Sequence, residues 1–535
     1  MMNRRDFLKK TGMSTIGLFI LSAYQRITAA DTKKPNILFI SIDDLKPLMG
    51  AYGVSDIKTP NMDRLAADGL TFTNCHCQMT LCLPSRTSVM TGLRPDTTQV
   101  MTLQTPFRKT IPDAWTLPQH FKSHGYWTQA IGKIYRTRED DPQAWSTPWT
   151  NGANLPWYLD ENSQAISKIR LTKLREASAK GLKGKERRQY LDSLERIPFY
   201  EDSFDVPDEA YGDGARCQSQ IDCLRELANK QQPFFLAAGF IKPHLPFVAP
   251  KKYWDMYNID ELKLPTWDKA PIGAPHYVTQ PSWELRNYGG IPTGTAPIPD
   301  DIEKKLLHGY YASTSYIDSL VGKLLNELEV LGLVDNTIVC LWSDQGWHLG
   351  DHGMWGKLTL FEQATRSPLI IRVPNMKNAG SQCAAPVELV DVYPTLCTLA
   401  DLPIPEGLEG ADASLFFNNP QAHWDKPAFT QFSRKLKNET TETKYRAMGY
   451  SLRTERYRYT EWVYNPDWDN FGNRWHPMAG NLVIDRELYD YELDPDETHN
   501  LVNDPHYNDI RKMLEKKMNK GPKRSQRWTK KTSPT

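Results

Sequence analysis

The chain has 535 residues, enough for one large domain with a substantial core and a smaller second domain. Its 40% hydrophobic and 24% charged residues are ordinary for a soluble globular enzyme. A net charge of +1 argues against a partner held by bulk electrostatics, such as duplex DNA, so no nucleic acid is expected.

Residues 1–30 read as a targeting segment. Asn3-Arg4-Arg5-Asp6-Phe7-Leu8-Lys9 is a twin-arginine pattern, an apolar stretch runs from Met13 to Ala23, and small residues follow at Thr28-Ala29-Ala30. That stretch is too short to span a bilayer, and no other run of ~18 apolar residues exists. A mature protein without a stable membrane span is expected, exported to the periplasm or the outside by the twin-arginine route.

Residues 31–425 are expected to form the main domain. Short apolar runs read as buried parallel strands at 36–42, 127–131, 234–240 and 337–342, with 368–373 a further strand candidate. Four of them end in polar groups: Asp43-Asp44, Gly132-Lys133, Lys242-Pro243-His244 and Asp344-Gln345-Gly346. Helical patterns lie between them at 63–68, 117–123, 217–230 and 302–331. This alternation predicts an α/β fold, a large doubly wound sheet with helices on both faces and ligands at the carboxyl ends of its strands. A basic helical insertion over 166–194 reads as a solvated face, with polyanion binding as the alternative. After Pro427 alternating segments at 450–454 and 457–462 predict a smaller α+β domain with an antiparallel sheet over 426–515, followed by a basic, disordered tail at 516–535.

The segment with the strongest chemical content is Cys82-Leu83-Pro84-Ser85-Arg86, which leads into Thr91-Gly92. A zinc site at Cys75-His76-Cys77 and Cys82 is disfavoured, because the spacing lacks the paired pattern of structural zinc modules. Asp43, Asp44, Asp344 and Gln345 offer hard oxygen donors from two strand ends, which select calcium or magnesium over zinc. Eight cysteines leave the disulfide connectivity open.

Together with Thr59-Pro60-Asn61-Met62-Asp63, Lys242-Pro243-His244-Leu245-Pro246-Phe247, Ser343-Asp344-Gln345-Gly346-Trp347 and Trp355-Gly356-Lys357, this motif resembles the type I sulfatases of the alkaline-phosphatase superfamily. The nearest resemblance is to iduronate-2-sulfatase and its bacterial relatives. It implies that Cys82 is converted to formylglycine by a formylglycine-generating or anaerobic sulfatase-maturing enzyme. The aldehyde hydrates; one hydroxyl attacks sulfur, and the other later expels sulfate as the carbonyl re-forms. The resemblance further implies one calcium ion, with magnesium as the alternative, held by Asp43, Asp44, Asp344, Gln345 and the modified Cys82. Arg86 holds the hydrated aldehyde, Lys133 and Lys357 bind sulfate oxygens, and His244 lies near the bridging oxygen. Two positions depart from the pattern: Gln345 stands where Asn or His is usual, and Arg136 where these enzymes have a histidine.

The expected activity is hydrolysis of sulfate esters on sulfated carbohydrate, either glycosaminoglycan fragments or algal polysaccharides such as ulvan. A phosphomonoesterase or phosphonate hydrolase of the same superfamily and a non-catalytic carbohydrate-binding relative are the alternatives.

Overall fold

The computed structural model describes residues 34–136, 140–437, 444–465 and 483–522. The targeting segment therefore lies outside the described residues. Strand β1 (Asn36–Asp43) is buried along its whole length, and its side chains alternate between two cores. Leu38, Ile40 and Ile42 pack with helix α1 (Pro60–Ala67) and with residues of two longer helices at Gly212–Ala228 and Asp300–Val330. Ile37 and Phe39 pack on the other face with α2 (Cys82–Thr91), α3 (Leu117–Ser123) and a helix at Val392–Leu399. A strand with two apolar faces needs cover on both sides, and these helices supply it. Local chemistry fixes where they begin: α3 opens on a capping box between Thr116 and Gln119.

The remaining strands of the main sheet are β2 (Leu70–Phe72), β3 (Trp127–Ile131), β4 (Phe234–Pro243), β5 (Thr337–Ser343), β6 (Leu369–Arg372) and β7 (Ser381–Cys383). Their order is β7-β2-β6-β5-β1-β4-β3. The four neighbours β5, β1, β4 and β3 are parallel. The strand candidate over 368–373 is β6, which runs antiparallel to both β5 and β2. A parallel return needs a crossover to the opposite end of the sheet. Between Ser343 and Leu369 the chain makes instead a short hairpin, His348–Leu349 with Trp355–Gly356, and one helical turn at Glu362–Thr365. It stays at the carboxyl end and re-enters from there.

The insertion expected over 166–194 is a pair of helices, α4 (Glu161–Ala179) and α5 (Gly184–Asp192). Towards the C-terminus, β8 (Ala428–Lys437), β9 (Lys444–Arg453), β10 (Tyr457–Asn465) and β11 (Val483–Asp490) form an antiparallel meander in sequence order. A last helix, Asn508–Lys520, packs Leu514 and Met518 into a third core with Tyr459, Trp462 and Leu488. Residues 516–520, assigned on the sequence to a disordered tail, are thus the end of this helix. Met518 sits one turn after Leu514 and is buried for the same reason. Among the described residues no helix is long and apolar enough to cross a membrane.

Two glycines bring the ends of β3 and β4 together. Gly132 has φ +91°, and a Cβ there would lie 2.0 Å from the Gly239 carbonyl oxygen; a Cβ on Gly239 would lie 2.4 Å from the Lys133 carbonyl oxygen. The close approach fixes where Lys133 leaves the sheet. Gly239→Ala is expected to cost about 3 kcal/mol in urea denaturation, the upper end of overpacking losses, and to lower turnover by displacing Lys133.

Candidate active site

The carboxyl ends of the four parallel strands deliver most of the site. β1 ends in Asp43 and continues to Asp44; β5 is followed by Asp344 and Gln345; β3 is followed by Gly132 and Lys133; β4 ends at Pro243, before His244. Pairing of Ile42 with Ser343 and of Asp43 with Pro243 sets the ends of β5, β1 and β4 level. Helix α2 meets them from the second core. All ten of its residues are buried, and its first residue is Cys82. The partial positive charge of a helix N-terminus, with first-turn N–H groups that have no partner within the helix, therefore falls at Cys82. Lys357 follows the antiparallel pair at Trp355–Gly356.

Contacts join the nine residues given metal or catalytic roles on the sequence. Ligand atoms of Asp43, Asp44, Cys82 and Asp344 all lie within 4.8 Å of one another, and all four residues are buried. Lys133 is paired with Asp43. The Lys357 ammonium donates to both oxygens of Asp44, at 2.6 and 2.7 Å, and lies 3.2 Å from the Cys82 sulfur. Gln345 donates from Nε2 to Asp44 at 2.5 Å and lies 3.4 Å from the same sulfur. Its Oε1 is buried without a hydrogen-bond partner. An orphaned amide oxygen beside three carboxylates is a donor set that fits a hard divalent cation.

Arg86 is fully buried, and Nε donates to Asp344 at 2.8 Å. One terminal nitrogen serves Ser41 Oγ and the carbonyls of Lys133 and Ile134; the other serves Asp43 at 3.2 Å and the Ile42 carbonyl. All three of its nitrogens thus donate to carboxylates, the Ser41 hydroxyl and backbone carbonyls. In this setting Arg86 fixes the carboxylates from beneath. Arg136 donates to the Leu103 carbonyl at 2.7 Å.

Glu284 was missed on the sequence. It comes from a loop with no motif, and it approaches His244 Nε2 at 3.2 Å and the Lys357 ammonium at 3.8 Å. His244 donates Nδ1–H to the Leu245 carbonyl at 2.7 Å, which turns Nε2 towards Glu284 and, at 3.7 Å, Asp44. Trp347 lies beneath, its ring centre 5.3 Å from the Lys357 ammonium.

The electrostatics follow from this crowding. Burial alone would depress the pKa of His244, but Asp44 and Glu284 outweigh it and raise it, favouring the imidazolium. Burial and the charges of Asp43 and Asp44 lift Asp344 to about 6, against the pull of Arg86. Burial pushes the Cys82 thiol far above its ordinary range despite Lys357 and Lys133, so the unmodified side chain is a neutral thiol at pH 7.

A family model described as "Sulfatase" matches residues 35–402. A second, "N-sulphoglucosamine sulphohydrolase, C-terminal", matches residues 350–524. The chain is 32% identical to iduronate 2-sulfatase of Homo sapiens over 90% of its length and 93% of that protein. It is 26% identical to an ulvan-active sulfatase of Formosa agariphila, covering 96% of this chain and 87% of the other. A solved structure in complex with its substrate D-glucosamine-2-N,6-O-disulfate superposes with a TM-score of 0.67 at 22% identity, covering 94% of this chain and 99% of that one.

Arg86→Ala would leave Asp43 and Asp344 facing each other, both buried, without their shared guanidinium. Breaking such a network by removing one partner costs about 3–5 kcal/mol. Urea denaturation in the presence of chelator is expected to show a loss of that size. A variant as stable as wild type would contradict the role given to Arg86.

Proposed function

The chain belongs to the sulfatase family and is a sulfuric ester hydrolase; from that premise we propose that it removes sulfate from sulfated carbohydrate, using Cys82 as formylglycine and one divalent cation. The observation that carries this reading is the setting of Cys82: a neutral buried thiol at a helix N-terminus, within 4.8 Å of three carboxylates and beside Lys357. As a thiol it is neither ionised nor aimed at releasing sulfate. As an aldehyde hydrate it would supply one hydroxyl to attack sulfur and another whose deprotonation releases sulfate. Asp43, Asp44, Asp344, the Gln345 amide oxygen and an oxygen of the modified residue would hold the cation, for which calcium is the proposed identity. The cation would supply positive charge against the sulfate oxygens and favour the ionised nucleophile.

The chain's own residues do the rest. Lys133 and Lys357 offer ammonium groups to the sulfate oxygens, whose charge would otherwise be repelled by the three carboxylates. Arg86 keeps Asp43 and Asp344 at fixed separation. His244, held as an imidazolium with Nε2–H directed towards the centre, gives its proton to the bridging oxygen as the sugar alkoxide leaves. Glu284 orients that imidazolium and stabilises its charge.

The likeness to iduronate 2-sulfatase and to an ulvan-active sulfatase supports a uronate-containing saccharide as substrate. Export by the twin-arginine route and maturation of Cys82 by a formylglycine-generating or anaerobic maturing enzyme complete the proposal.

Replacing Lys133 or Lys357 with Ala should lower kcat/KM on every sulfate ester tested by roughly 10²-fold or more, since each faces the group common to all of them. His244→Ala should behave differently along a leaving-group series. Sugar sulfates, whose alkoxide needs a proton, should lose far more than an activated aryl sulfate, whose phenolate does not. An equal loss along the series would remove His244 as the acid.

A further inference from the structure

The helical pair α4–α5, which the sequence alone made a solvated face, borders a large cavity. Its walls come from that pair, the residues just after it and the loop over 281–295, and its volume is about 1350 Å³. That exceeds the roughly 300–1,000 Å³ of a site for a drug-sized ligand. Glu284 is part of the wall and also stands 3.2 Å from His244, so the cavity adjoins the reactive centre.

Four arginines line it: Arg170, Arg187, Arg196 and Arg286. Among the described residues their hydrogen bonds go to backbone carbonyls. Arg170 donates to Leu194 and Glu195, Arg196 to Arg286 and Ile291, and Arg286 to Pro281, Pro292 and Ala296. Asp192 and Glu195 also line the cavity, but among the described residues neither pairs with a guanidinium at ion-pair distance. Burial and the neighbouring Arg196 depress the pKa of Arg170, against the opposing pull of Asp192. Trp283, 53% exposed, stands in the same wall and offers an apolar face for a sugar ring.

We propose that this cavity is a subsite for an anionic sugar unit next to the one that carries the scissile sulfate, with Arg170 and Arg187 meeting its sulfate or carboxylate. The proposal rests on the reading above that the substrate is sulfated carbohydrate, and it makes that substrate an oligosaccharide rather than a free monosaccharide. Guanidinium groups suit the role because they bind planar and tetrahedral oxyanions through two parallel N–H groups. The basic surface of the insertion is thus a recognition surface brought against the active centre.

The test uses the matured full-length enzyme and two substrates: 4-nitrophenyl sulfate, too small to enter the subsite, and a heparin-derived tetrasaccharide with a 2-sulfated uronate at its non-reducing end. Arg170→Ala and Arg187→Glu should each lower kcat/KM on the tetrasaccharide about 10-fold, mainly through KM, the loss of roughly one charge-assisted contact. Turnover of 4-nitrophenyl sulfate should stay within about 2-fold of wild type, and Arg170→Lys should recover part of the loss. Arg187 is exposed, so its charge reversal separates recognition from any loosening of the helical pair. Equal losses on both substrates, or no loss on the tetrasaccharide, would overturn the subsite while leaving the sulfatase reading intact. A wild-type enzyme that turns over 4-nitrophenyl sulfate but neither cleaves the tetrasaccharide nor, as Cys82→Ala, binds it in calorimetry would overturn the carbohydrate reading and the subsite with it.

Discussion

Three buried carboxylates, Asp43, Asp44 and Asp344, share a space of a few ångströms, and the rest of the site exists to make that tolerable. At an effective dielectric of about 20, two unit charges ~4 Å apart repel by about 4 kcal/mol. Three such pairs approach about 12 kcal/mol, comparable to the whole net stability of a typical domain, about 5–15 kcal/mol. The compensation is specific. Arg86 spans Asp43 and Asp344 from below, Lys133 holds Asp43, and Lys357 holds Asp44 through both oxygens. A cation among the carboxylates would free the two lysines for an incoming anion without unbalancing the core.

The sheet makes this arrangement stiff. Three adjacent parallel strands, β5, β1 and β4, end level and β3 ends beside them, so their carboxyl ends hold the carboxylates, Lys133 and His244 at separations set by backbone hydrogen bonds. The close approach of Gly132 and Gly239 fixes one end. Helix α2, sunk into the second core, fixes Cys82. Recognition is built from the opposite material: a loop over 281–295 and an inserted helical pair, which can vary without disturbing the centre.

Much of this was legible in the sequence because its signals are local. Apolar runs that end in Asp or Lys marked the strands, and Cys82-Leu83-Pro84-Ser85-Arg86 marked the centre. What was not legible depends on three-dimensional neighbours. Helix α2 is buried on every side, so it shows no 3.6-residue alternation of apolar and polar residues to betray it. The direction of β6 depends on whether its connection crosses the sheet, which composition does not encode. The motif located Arg86 but not where its side chain points, and burial among carboxylates gave it a structural task. Glu284 sits in an unremarkable loop, and only the fold brings it to His244. The basic insertion read as a solvated helix because the cavity beside it is made by residues about a hundred positions away.

In the proposed mechanism the nucleophile is an oxygen on the converted Cys82 and not the thiol it replaces. The most direct measurement is peptide mass spectrometry across Cys82, paired with specific activity on the same preparations, from hosts with and without a sulfatase-maturing enzyme. Activity is expected to rise in proportion to the fraction of Cys82 converted to the aldehyde and to vanish at zero conversion, with the fold unchanged. Full activity in protein whose Cys82 is entirely unconverted would contradict it.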